Sequence, residues 1–281
     1  MKQMIMKCAA LVAAVLMGSI AWAEATIVYV APEGSGDGSS WDSPTTFEGA
    51  MSIGAGNKEI EVWMKEGTYL KTADSVTYNF NHALTVRGGF AGTETSAAER
   101  AAGTYSTIDG QDLYNTFVAY VRKSAEFERV IFTKSRTQGF NKSQDGSVTL
   151  KDCQFVRNGI TAGNFKGRGA GIWGNTSSSE VVIENCVFDR NTVTNMINDM
   201  GAGWGLYLEG AKSARIVNCS FEDDGYAHSI TNRAGNRTGA TVLSAVNAPV
   251  AVTNCTFVGN MLYAGLWCGG VAEWELRWEY V

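Results

Sequence analysis

The stretch VVIENCVFDRN at 181–191 decides the fold, because the chain keeps returning to it. The same arrangement reads VTLKDCQFVRN at 148–158, ARIVNCSFEDD at 214–224 and VAVTNCTFVGN at 250–260, at steps of 33, 33 and 36 residues. Aligned on the cysteine, Val130, Cys153, Cys186, Cys219 and Cys255 form one column, and Phe132, Phe155, Phe188, Phe221 and Phe257 form another. Phe127, Leu150, Ile183, Ile216 and Val252 make a third column, and Ala125, Val148, Val181, Ala214 and Val250 a fourth. Apolar or small residues two apart mark the inward positions of strands. The step from Ile183 to Cys186 is three, so both face inward only if the chain bends between them. The bend positions Lys151-Asp152, Glu184-Asn185, Val217-Asn218 and Thr253-Asn254 each supply an Asn or Asp, the non-glycine residues that best tolerate a left-handed backbone.

Each unit carries a further strand: GAGIWGN at 169–175, GWGLYLEG at 203–210, ATVLSAV at 240–246 and AGLWCGG at 264–270. Strand, tight corner, strand, variable loop, strand is one coil of a parallel β-helix, an all-β solenoid whose identical columns stack at ~4.8 Å. The repeated Cys, Phe and Asn are therefore internal scaffolding. In-register parallel side chains point the same way, a poor geometry for disulfides, and no C-x-x-C spacing suits zinc. Four of the cysteines are read as core, and Cys268 is left open.

Outside the repeats, residues 1–23 combine a basic start (MKQMIMK), the apolar run CAALVAAVLMGSI and an Ala21-Trp22-Ala23 cleavage site, the pattern of an export signal. An exported protein without a transmembrane segment in its mature chain is expected, at the cell surface, outside the cell or in the periplasm. Residues 24–123 are expected to form an N-terminal cap and irregular first rungs. A short helix there, with Phe47, Ala50 and Met51 on one face, would plug the open end. Residues 124–270 are the regular coils, and 271–281 are an alternating terminal strand or a truncated end. A net charge of −5 argues against nucleic acid or an anionic membrane as partner.

The Phe-x-x-Asn elements FVRN (155–158), FDRN (188–191) and FVGN (257–260), with GAGI (169–172), resemble the repeats of polymorphic outer-membrane proteins and related bacterial right-handed parallel β-helix proteins. IVYVAPEGSGDGSSW, VWMKEGTY and GGFAGTETSAAER resemble the N-terminal part of the same exported group. The resemblance implies a right-handed coil of the pectin-lyase-like kind. FEDD at 221–224 and FTKS at 132–135 depart from the Asn pattern.

In a filled solenoid, function belongs to outer faces and loops. Two constellations are candidates. The first is an aromatic column of Trp173, Tyr207, Leu243 and Trp267, outward if Ile172, Leu206, Val242 and Leu266 point in; exposed rings suit sugars, while loops folded over them would make a minor core. The second is acidic: Asp189 with Arg190, and Glu222 and Asp224 one rung later, a candidate calcium site or acid/base set, or simply solvated loop charge. No other cofactor is expected, and His82 and His228 stand alone. The expected function is a secreted or surface-exposed, non-catalytic β-helix protein with an adhesive, carbohydrate-binding or structural role. Its partner would be a polysaccharide or other cell-surface component. The alternative is a polysaccharide lyase or glycoside hydrolase working on the loop-walled face.

Overall fold

The computed structural model describes residues 25–56, 58–74, 77–159, 168–173, 179–191, 202–224, 241–246, 248–259 and 266–269. Among the described residues the strands fall into three parallel sheets, and after Thr26–Val30 each coil gives one strand to each sheet in turn. The first sheet has eight strands, from Thr26–Val30 to Val250–Thr253, and the second seven, from Gly67–Leu70 to Thr256–Val258. The third also has seven: Tyr78–Phe80, Phe117–Val121, Gln138–Ser143, Arg168–Trp173, Ala202–Glu209, Thr241–Val246 and Leu266–Gly269.

The four apolar columns stack as their spacing demands. Val148 pairs with Val181, Val181 with Ala214 and Ala214 with Val250; Leu150, Ile183, Ile216 and Val252 follow in the same register. Phe155, Phe188, Phe221 and Phe257 lie face to face at 4.8, 4.7 and 4.8 Å between ring centroids. The bend is real: Asp152, Asn185, Asn218 and Asn254 have φ of 50°, 55°, 54° and 50°. Their side chains link rung to rung, Asn185 Nδ2 donating to Asp152 Oδ1 at 3.1 Å, Asn218 Nδ2 to Asn185 Oδ1 at 3.2 Å and Asn254 Nδ2 to Asn218 Oδ1 at 2.7 Å. The bend therefore lets Ile183 and Cys186 both reach the interior, each fully buried.

Cys153, Cys186, Cys219 and Cys255 are free thiols. Each S–H donates to a backbone carbonyl two residues back, at 3.3 Å. Burial, together with contacts to the Cys153 and Cys219 thiols, pushes the Cys186 thiol well above its ordinary range, so the thiol is neutral.

A second corner follows the second sheet. Lys134, Arg157, Arg190, Asp223 and Gly259 occupy left-handed conformations in successive coils. The residue after each of the first four turns inward, giving the buried series Ser135, Asn158, Asn191 and Asp224. Ser135 N donates to Asn158 Oδ1 at 3.0 Å, and Asn158 N to Asn191 Oδ1 at 3.1 Å. Asn158 and Asn191 also donate through Nδ2 to the carbonyls of Phe132 and Phe155, at 3.0 and 2.8 Å. This ladder satisfies backbone groups that the turn would otherwise leave buried and unpaired.

At the N-terminal end, the helix Phe47–Ala55 lies against the first rungs with Phe47, Ala50, Met51 and Gly54 buried. Thr46 caps it, its hydroxyl accepting from Gly49 N at 3.0 Å. A side chain at Gly54 would meet Ile60 at 2.6 Å, so the close seating of this plug depends on glycine.

Candidate functional site

The outer faces of the three sheets differ in chemistry. On the first, Arg87 bridges Glu61, Glu126 and Glu128 at 2.8, 3.2 and 2.5 Å, and Arg100 reaches Glu128 at 2.8 Å. Further along, Glu184 holds Arg215 and, at 3.9 Å, Lys151. These charges neutralise one another across rungs and form a partly buried ionic coat.

On the second sheet, Asp189 and Glu222 stand in register, as their spacing suggests. Asp189 is taken up by its neighbour: Arg190 Nε lies 2.9 Å from both carboxylate oxygens and its Nη2 lies 2.6 Å from Oδ2. That contact raises Arg190 above the usual guanidinium range. Asp224 corrects the expectation for this cluster. It sits in the inward ladder, fully buried, its Oδ1 accepting from Asn191 N and Nδ2, and so does not share a face with Glu222. Burial pushes its carboxyl up to about 8, with the charges of Asp189 and Asp223 adding to the effect. The acid set is thus split between an outer pair and an inner ladder position. Among the described residues no three His, Cys, Asp or Glu side chains converge as metal ligands.

The third sheet also corrects the expected aromatic column. Gly171 pairs with Tyr207, and Trp173 pairs with Glu209, two residues away from the expected match. Tyr207 in turn pairs with Ser244, and Ser244 with Trp267, while Leu243 pairs with Leu206 and is fully buried in the core. Two outer columns result. One runs Val118, Asn141, Gly171, Tyr207, Ser244, Trp267; the other Asn79, Tyr120, Ser143, Trp173, Glu209, Val246, Gly269. Tyr207 is only 7 % exposed, so its ring belongs to a covered outer layer; its phenol donates to Glu209 Oε2 at 2.6 Å. The side chains of Trp173 and Trp267 lie outside the described part, as do most of residues 156–168, 189–202 and 222–238, the long Asn-, Gly- and Thr-rich loops of the loop-walled face, together with residues 1–24 and 270–281.

The sequence reading missed the earlier rungs of this face. Tyr120 is 40 % exposed, Asn79 is exposed, and Asn141 and Ser143 are half-exposed. The signal was present in FVAYV, where Phe117, Ala119 and Val121 alternate inward and leave Val118 and Tyr120 on the other side. Beside Asn79 the face meets a cavity of about 590 Å³, lined among others by Glu48, Ser52, Lys71, Thr72 and Asp74.

Three parallel sheets wound by short corners define a β-helix solenoid. A family model described as the right handed beta helix region matches residues 88–273, and the chain belongs to that family. A solved structure described as the crystal structure of pectate lyase Pel9A is similar at 18 % identity, with 88 % of this chain and 81 % of that one covered and a TM-score of 0.27. No curated protein matches the chain. No helix among the described residues is long and apolar enough to cross a membrane.

Proposed function

We propose that this is an exported, non-catalytic β-helix protein that binds carbohydrate through the outer face of its third sheet. The observation that carries this reading is the described stretch of the outer face, where Tyr120, 40 % exposed, stands in register between exposed Asn79 and half-exposed Ser143, with half-exposed Asn141 beside them. Aromatic rings offer stacking surfaces for the C–H faces of sugars, and amides and hydroxyls offer partners for sugar hydroxyls. Export rests on the signal-like segment 1–23.

The alternative is a polysaccharide lyase or glycoside hydrolase. Glycoside hydrolysis ordinarily employs a pair of carboxyl groups, and Glu209 is the single carboxylate in these columns. On the second sheet Asp189 and Glu222 remain an in-register outer pair, but Asp189 is taken up by Arg190 and Asp224 is buried in the inner ladder, so among the described residues no further carboxyl joins them. The test is a polysaccharide screen with the chain freed of residues 1–23, recording both binding and product release, with and without calcium. Binding without product is expected. Product release abolished by Glu209→Ala, Asp189→Ala or Glu222→Ala would establish the enzyme instead.

A further inference from the structure

We infer that the ligand of the third-sheet face is a neutral glycan lying along the solenoid axis, with its first contacts at Asn79, Tyr120 and Ser143; this rests on the carbohydrate-binding function proposed above. Charge separates the two ligand classes. Acidic polysaccharides carry a carboxylate or sulfate on most units, and a surface that takes them needs cations or a bound metal ion opposite those groups. Neither outer column of the third sheet holds a lysine or arginine, in contrast to the ion-paired first sheet. Its one ionisable acid, Glu209, would repel a uronate laid over it and can accept a hydrogen bond from a sugar hydroxyl.

Among the described side chains, the cations near the face are occupied or displaced from the track. Lys142 lies under the face, buried, its Nζ donating to the carbonyls of Gln144 and Gly146. Arg122 follows the Phe117–Val121 strand at the corner and donates to Asn81 Oδ1 at 2.8 Å; Lys123 comes after it, exposed. In the cavity beside Asn79, Lys71 is held by Glu48 at 2.5 Å and Asp74 by Arg136 at 3.1 Å, so that end presents paired charge and hydroxyls.

The geometry sets the ligand's direction. Asn79 pairs with Tyr120, and Tyr120 with Ser143, on three successive rungs. At ~4.8 Å per rung these contacts span about 10 Å along the axis, a suitable reach for consecutive sugars of an extended chain. Tyr120, 40 % exposed, is the ring against which a sugar would stack.

The test is affinity electrophoresis of the chain freed of residues 1–23 through gels containing neutral polymers (a β-glucan, a xylan, a mannan) or anionic ones (polygalacturonate, alginate), at low and high salt and with added calcium. Retardation by a neutral polymer, unchanged by salt, is expected; Tyr120→Ala should weaken it about tenfold and Tyr120→Phe should largely retain it. Asn79→Ala provides a second variant on an exposed position, and an unchanged circular dichroism melt checks that each variant folds. Retardation by anionic polymers alone, fading with salt, would overturn the neutral assignment and leave carbohydrate binding standing. Retardation by neither class would overturn both. Neutral binding indifferent to Tyr120→Ala and Asn79→Ala would overturn the placement.

Discussion

Asn191 donates two hydrogen bonds to one oxygen of Asp224, from its backbone N–H at 2.7 Å and from its side-chain amide at 2.9 Å. One coil earlier, Asn158 makes the same pair of bonds to Asn191, at 3.1 and 3.0 Å. Asp224 is thus an acid in a position built for an amide, and its carboxyl is held at about 8 by burial.

The pH dependence follows. A carboxyl whose folded pKa lies above its unfolded value favours folding fully below the unfolded value, 3.8, and loses that contribution as pH rises to about 8. At about 1.4 kcal/mol per unit, the loss is up to about 6 kcal/mol. Asp224→Asn should therefore raise the urea midpoint at neutral pH and flatten its dependence across this window. A variant less stable than the parent at pH 7 would refute the account.

The phenylalanine stack should be unequal along its length. Phe188 is fully buried between rings at 4.8 and 4.7 Å, so Phe188→Ala should cost about 3–5 kcal/mol. Phe257 is only partly buried and should cost less. Chemical denaturation of the two variants measures the difference.

At the first corner, Asn185 combines φ of 55° with side-chain bonds to Asp152 and Asn218. Asn185→Ala forfeits both bonds and keeps a left-handed residue, at a cost of about 1–3 kcal/mol; Asn185→Gly should be milder because glycine relieves the backbone. If the two variants melt alike, backbone strain at position 185 contributes nothing to the cost.

Alkylation should follow burial. In the native protein Cys255, at intermediate exposure, should react before Cys153 and Cys186, which should be protected until unfolding. Peptide mapping after timed alkylation reads the order directly, and early labelling of Cys186 would contradict the buried ladder.

The coils were legible in the sequence because their columns repeat identical residue types: Cys153, Cys186, Cys219 and Cys255 announce both the register and, through the three-residue step before them, the corner. The third sheet was harder for a definite reason. Ile172-Trp173 and Leu206-Tyr207 look equivalent, yet Trp173 lies against Glu209. A slip of two residues leaves every side chain on its original face, so alternation cannot detect it. The second corner gave a weak local signal: Asp223 and Gly259 suit left-handed turns, while Lys134, Arg157 and Arg190 do not favour them. Lys142 was also hidden: KSQDG reads as a solvated turn, while the lysine occupies an inward column with Ala119 and Ile172. Asp224 was visible as a carboxylate, but its direction depended on that unseen corner.

The helix Phe47–Ala55 covers the N-terminal mouth of the coil and so gives the solenoid a fixed origin. From that origin length is modular: duplicating one 33-residue unit between Cys153 and Cys186 would insert a rung that offers matching partners above and below, with no junction to redesign. Each duplication would also extend the outer track of the third sheet by ~4.8 Å. Reach along a glycan would then be a quantity set by copy number, adjustable through recombination between repeats without any new residue having to evolve at either end.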